Sequence, residues 1–246
     1  MEIRYFKHYS HNLNRDMEFK VYGHGGMPVM FVPCQSGRFF DFENFKMIDY
    51  WAKWIEEGKC TVYSCDSIDN EAWAAMGADC RWRIENHERW VHDITEELVP
   101  YIHHLQGNRN GVMPFGASMG AMHAANLYYR RPDLFDMLFA ISGLYDSQDF
   151  FGDYCDNLVY DNCPCYYLAN MPEDHPYMSI YRNQHSLIVC GQGDWEEPLL
   201  RSTRWLDTIC CQKGIGTRFE YWGLDVAHDW PWWFKMVEYY LPQLLN

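Results

Sequence analysis

An α/β fold, with a mostly parallel eight-stranded sheet and helices on both faces, is what this sequence predicts. Three observations carry the prediction. Short apolar, β-rich runs alternate with longer helical stretches along the whole chain. The 246 residues, 48% hydrophobic and 17% aromatic, suit one large core that buries roughly three quarters of the unfolded surface, so a single domain over 1–246 is expected. A serine flanked by glycines also stands between one such apolar run and a helical stretch.

The opening segments, Ile3 to Phe6 and Met17 to Gly23, are joined by the polar Ser10-His11-Asn12-Leu13-Asn14-Arg15. That join leaves no room for a helix, so the two pair as an antiparallel entry to the sheet. Further strands are expected at Pro28 to Pro33, Cys60 to Cys65, Val112 to Phe115, Met137 to Ser142, Ser186 to Cys190 and Arg218 to Trp222. Helices are expected near Asn44 to Glu57, His87 to His104, Met119 to Arg130, Pro198 to Gln212 and Pro231 to Leu245. A helix between successive strands is the signature of parallel pairing. Pro114 is awkward within this scheme, because a central strand cannot spare an N–H donor. The one irregular stretch, about 147–184, is rich in Tyr, Phe, Asn and Asp and lies between two core strands. It reads as a small lid, whose Phe150, Phe151, Tyr154, Tyr160, Tyr166, Tyr167 and Tyr177 either line a pocket or seal the lid to the core.

A formal charge of -14 repels nucleic acid and anionic lipid, and no Lys/Arg cluster runs against it. Neither nucleic acid nor a membrane is an expected partner. The start, Met1-Glu2-Ile3-Arg4-Tyr5-Phe6-Lys7, carries charges where a signal peptide needs an apolar core, so a cytoplasmic protein is expected. Its ten cysteines then read as reduced, mostly buried side chains. Cys155, Cys163 and Cys165 lack paired C-x-x-C spacing, and no metal is expected there.

The chemistry centres on Gly116-Ala117-Ser118-Met119-Gly120, between Val112-Met113-Pro114-Phe115 and Ala121-Met122-His123-Ala124-Ala125-Asn126-Leu127. A serine there sits on a tight strand-to-helix turn, a nucleophile elbow, with its hydroxyl exposed and helical N–H groups nearby. That hydroxyl needs a histidine to take its proton and an acid to orient the histidine. Acid and histidine should follow Ser118 in that order, past a late strand and past the last strand. Leu187-Ile188-Val189-Cys190 leads to Asp194 and Glu196, and Phe219-Glu220-Tyr221-Trp222 leads to His228. Asp194, at the turn directly after the strand, is the first candidate for the acid. Glu196 is its rival, reaching the same place if the loop bends differently, and Asp146 is a third. His228 carries the base role, because His123 follows the serine too closely and His87, His103 and His104 read as solvated residues on a polar helix face. Trp230-Pro231-Trp232-Trp233-Phe234 opens the last helix and would hold the histidine loop rigid. Of the two N–H donors an oxyanion hole needs, Met119 supplies one. The other should come from the loop Pro33 to Arg38, with Gln35 chosen by position over Cys34 and Ser36.

Four segments, Val21-Tyr22-Gly23-His24, Ser36-Gly37-Arg38-Phe39-Phe40, Gly116-Ala117-Ser118-Met119-Gly120 and Ala227-His228-Asp229-Trp230-Pro231, resemble the esterase branch of the α/β hydrolases. That group includes esterase D, S-formylglutathione hydrolase and the antigen 85 mycolyltransferases, and the likeness is nearest to bacterial esterase-family proteins. The resemblance spans nearly the whole chain. It implies an α/β-hydrolase fold, a Ser/acid/His triad on Ser118 and His228, and no cofactor. The expected partner is a small-molecule ester substrate, hydrolysed through an acyl-enzyme; a homo-oligomer is left open. Acyl transfer by the same triad, and a non-catalytic binding role for the scaffold, are the alternatives.

Overall fold

In a computed structural model, which describes residues 1–245, the first two strands, β1 (Ile3–Ser10) and β2 (Arg15–Tyr22), form an antiparallel hairpin. Its turn is closed by the buried Ser10 hydroxyl, which accepts the Leu13 N–H at 3.1 Å, and by Asn14 at φ 52°. There follow β3 (Met27–Val32), α1 (Asp41–Asn44), α2 (Met47–Glu56), β4 (Cys60–Cys65), α3 (Cys80–His92), a π-helical turn over Asp93–Leu98, and α4 (Val99–Gln106). The central unit is β5 (Met113–Ala117), α5 (Met119–Arg130) and β6 (Met137–Ile141). Four short helices, α6 (Gln148–Phe151), α7 (Asn157–Asp161), α8 (Pro164–Asn170) and α9 (Pro176–Tyr181), occupy the expected lid stretch. The chain closes with β7 (His185–Cys190), α10 (Glu197–Lys213), β8 (Thr217–Tyr221) and α11 (Trp230–Leu244).

The sheet order is β1-β2-β4-β3-β5-β6-β7-β8. β2 pairs antiparallel with both β1 and β4, and every other pairing is parallel. Strand alternation splits the core into two layers. Met30, Val32, Leu138 and Ala140 face α3, α4, α5, the lid helices and α10. Val29, Phe31, Phe139 and Ile141 face α2 and α11. Pro114 pairs only with Met30 of β3, because pairing with β6 begins one residue later at Phe115. Its missing N–H therefore falls at the lead-in to the strand.

Two expectations need correction. The helix expected to begin at His87 begins at Cys80, capped by the Asp79 carboxylate, which accepts the Trp82 N–H at 2.9 Å. His87 is buried rather than solvated, packed between Trp90 and His123 with ring centroids at 5.6 and 4.8 Å. Burial, with His123 and Arg130 nearby, holds its pKa well below the ordinary histidine value. The chain of charges Arg81, Arg83 and Glu85 hid this helix from a hydrophobic pattern. Arg83 is itself buried, donating to the carbonyls of Ala72 and Trp73 at 3.1 and 2.5 Å. All ten cysteines are free, Cys163 and Cys165 buried and Cys155 exposed.

Candidate active site

Ser118 is the residue between the end of β5 and the start of α5, at φ 56° and ψ -128°. A non-glycine residue at positive φ is strained. What holds it there is the closeness of the two elements. A Cβ on Gly116 would meet the Gly120 backbone at 2.4 Å, and one on Gly120 would meet the Val32 carbonyl oxygen of β3 at 2.3 Å. The turn thus fits only with glycine on both sides of the serine, and Ser118 N–H donates to Ile141 of β6 at 2.9 Å. Met119 is the first residue of α5, so its N–H lies among those a helix leaves without an internal partner.

Acid and histidine come from the loops after β7 and β8, which are zipped together. Gly193 N–H donates to the Val226 carbonyl at 2.8 Å, Gln192 N–H to that of Gly223 at 3.3 Å, and His228 N–H to that of Asp194 at 2.9 Å. The ring of Trp233, from the first turn of α11, stands edge-on to the His228 imidazole at 4.9 Å. Asp229 caps α11 by accepting the Trp230 N–H. The aromatic run after the histidine therefore packs against it directly.

His228 Nε2 lies 2.9 Å from Ser118 Oγ, and its Nδ1 lies 3.3 Å from Glu196 Oε2. With the proton on Nδ1, donated to Glu196, Nε2 is the acceptor for the serine hydroxyl. Glu196 is fully buried; its Oε1 accepts the Ser142 hydroxyl at 2.6 Å and its Oε2 faces the Cys190 thiol at 3.7 Å. The two partners at the ends of β6 and β7 fix the carboxylate and satisfy its lone pairs.

The structure thus brings together Ser118, His228 and Glu196, and not Asp194. Asp194 is exposed and reaches His228 only through its backbone carbonyl. Trp195, between the two acids, is at φ 67° and 84% exposed. That left-handed step leaves the Asp194 side chain outward and carries Glu196 back to Ser142 and Cys190 at the strand ends. Asp146 is buried but accepts the Gln148 N–H at 3.0 Å, away from the histidine. Ser142 and Cys190, which hold the acid, were not found from the sequence. The only available signal was their position at strand ends. His123 points away from the serine and pairs with Asp69, Nε2 to Oδ1 at 2.9 Å, both buried.

A cavity of about 170 Å³ opens on Ser118 and is lined by Gln35, Met119, Met122, Leu144, Phe150 and Leu199 with His228. Gln35 and Met119 thus face the same space as the hydroxyl, where a carbonyl oxygen would need its two donors. The Cys34 thiol ties their two loops together by donating to the Ala117 carbonyl at 3.4 Å, and burial pushes that thiol up to about 12. Phe150 reaches the cavity because α6 is anchored: Phe150 and Phe151 stand edge-on to Trp73 at 5.7 and 4.9 Å, and the Arg83 guanidinium lies 4.3 Å over Phe151. Among the described residues, His8, Asp93 and Glu97 bring ligand atoms within 4.8 Å of one another at the β1 edge. These groups are already used in a clasp: His8 Nε2 meets Asp93 at 3.1 Å, and Glu97 accepts the N–H groups of His11 and Asn12.

The fold recurs in solved structures of low sequence identity. A ferulic acid esterase superposes with a TM-score of 0.75 at 17% identity, over 99% of this chain and 98% of that one. Mycobacterium tuberculosis MPT51 gives 0.75 at 13%, over 100% and 98%. An S-formylglutathione hydrolase from Agrobacterium tumefaciens gives 0.70 at 16%, over 99% and 92%. These likenesses establish the α/β-hydrolase fold. A sequence search of curated proteins finds no match. Residues 10–238 match the family described as "Putative esterase", a span that holds the serine elbow, both zipped loops and the lid helices, so the chain belongs to that esterase family of the α/β hydrolases.

Proposed function

We propose that this protein is a serine carboxylesterase that cleaves esters of short, apolar acyl groups through an acyl-enzyme on Ser118. The observation that carries the reading is the unbroken relay Ser118–His228–Glu196, with contacts of 2.9 and 3.3 Å, opening on a small apolar cavity. Ser118 Oγ attacks the ester carbonyl as His228 Nε2 takes its proton, and Met119 and Gln35 N–H groups stabilise the oxyanion. His228 then protonates the departing alcohol. In the second half-reaction it activates water to release the acid and free the serine. Glu196 orients the imidazole and stabilises its charged form.

The acyl preference follows from size. At about 170 Å³ the cavity lies below the range of roughly 300–1,000 Å³ usual for drug-sized ligands. Its wall of Met119, Met122, Leu144, Phe150 and Leu199 offers the acyl chain no charge partner. A fluorophosphonate probe should label Ser118, and nitrophenyl esters of graded acyl length should be cleaved best at the short end. Ser118→Ala should abolish both, with a loss on the order of a millionfold in turnover. Comparable activity in that variant, or labelling of another serine, rejects the assignment.

A further inference from the structure

The oxyanion loop, Pro33 to Arg38, is anchored at its ends, where Pro33 and Gly37 are buried and the Cys34 thiol is tied to Ala117, but its tip is not packed. On one side Gln35 borders the cavity at Ser118. On the other, Ser36, Gly37 and Arg38 border a second, polar cavity of about 310 Å³. Gln35 and Ser36 are exposed, and Ser36 is at φ 59°, a conformation that a non-glycine residue does not keep unaided. A backbone donor is useful only when held to a fraction of an ångström. The exposed tip at Gln35 and Ser36 therefore needs a hold of its own, beyond the tie at Cys34.

The turn after β4 meets that need. The Ser36 hydroxyl donates to Asn70 Oδ1 at 2.6 Å. Arg38 Nε donates to Asp66 Oδ1 at 2.6 Å, and the same oxygen accepts the Phe39 N–H at 3.3 Å. Asp66 is itself fixed, since its carbonyl accepts the buried Trp90 indole N–H at 3.0 Å. Between Asp66 and Asn70, Asp69 pairs with His123 of α5, the helix that Ser118 begins, at 2.9 Å. One five-residue turn thus grips the oxyanion loop at two points and the nucleophile helix at a third.

The geometry points to a role for Asp66–Asn70 as the brace that sets the Gln35 N–H against Ser118, with Asn70, Ser36, Asp66 and Arg38 as positioning residues for transition-state stabilisation. This rests on the esterase reading above. It also accounts for Ser36-Gly37-Arg38, whose side chains do not line the cavity at Ser118.

The test uses Asn70 and Ser36, because both are exposed and their substitution should leave the fold intact, whereas Asp69 and His123 are buried partners. Complete loss of an oxyanion donor costs about a hundred- to a thousandfold, so a donor merely loosened should cost about tenfold. Asn70→Ala and Ser36→Ala should each lower kcat about tenfold with KM within about twofold. They should also weaken binding of an alkyl boronic acid, whose tetrahedral adduct occupies the oxyanion hole, by the same factor as kcat. Asn70→Asp keeps the accepting oxygen and should restore both. Unchanged kcat and boronate affinity in Asn70→Ala, a loss confined to KM, or an Asp variant as poor as the Ala variant would each overturn the brace. Ser118→Ala, run alongside, separates the two ideas. Activity surviving there overturns the esterase reading itself, while a dead Ser118 variant beside a fully active Asn70→Ala overturns only the brace.

Discussion

The acid of the site shows how much a single residue's backbone decides. Asp194 and Glu196 are two positions apart and both end in a carboxyl group, yet one faces solvent and the other is buried against Ser142, Cys190 and His228. Glu196→Gln should therefore cost about ten-thousandfold in turnover, since the amide keeps the shape but not the charge that stabilises imidazolium. Asp194→Asn should leave turnover within about twofold, since a solvated loop carboxylate contributes little. Measured turnover of the two variants checks the pair; a large loss on Asp194→Asn would reject it. The serine and the histidine were legible in the sequence, because their glycine-flanked turn and their place after the last strand follow from general geometry. The choice of acid was not, because it depends on the left-handed backbone at Trp195, and a tryptophan gives no sign of adopting positive φ.

At the level of elements, the helices α5, α10 and α11 and every strand but β1 were readable to within a residue or two, the inner strands as short continuous apolar runs buried on both faces; β1 runs four residues past Phe6, to Ser10. The start of α3 was not, because its buried side includes Arg83, Asn86 and His87, which a hydrophobicity pattern counts as polar. The lid stretch was legible only as an irregular aromatic segment; its division into four short helices depends on tertiary docking such as that of Phe150 and Phe151 on Trp73. That docking makes Phe150 of α6 part of the cavity wall. Phe150→Ala should deepen the cavity and shift preference toward longer acyl chains. The ratio of kcat/KM for an octanoyl over a butyryl nitrophenyl ester should rise at least about tenfold, the scale set by a few methylenes in an apolar pocket. An unchanged ratio would show that α6 does not limit the acyl chain.

Across the whole molecule, one polar network fastens the segment of short helices α6–α9 to the helices α3 and α5. Arg130 of α5 forms a double contact with Glu88 of α3 at 2.7 and 2.8 Å, and Asn162 bridges both while also accepting from Asn126. Burial pushes the Glu88 pKa up, but the Arg130 guanidinium and the Asn162 amide outweigh it, and the net shift is downward. A carboxylate with a lowered folded-state pKa contributes stability that is fully present above its unfolded value and is lost as pH falls through the folded value. Glu88→Gln should thus cost about 2 kcal/mol at pH 7, as expected for hydrogen bonds to a charged group. The gap from wild type should narrow in acid, below the ordinary glutamate range near about 4. Urea unfolding of both proteins across that range measures it, and a gap that stays constant with pH would reject the linkage.

The relay joins strands that are far apart in the chain. Ser118 and His228 are separated by 110 residues, and Glu196 and His228 by 32, with β6 and β7 lying between β5 and β8 in the sheet. None of these contacts can form locally, and parallel pairing over such separations closes slowly because loop entropy is lost before the contact forms. Activity is consequently a clock for the last stage of folding. On dilution from denaturant, the far-ultraviolet signal of the helices should return first, and ester turnover should follow with a longer time constant. A single time constant shared by both signals would mean that the serine and its distant base are assembled in the same event that forms the helices.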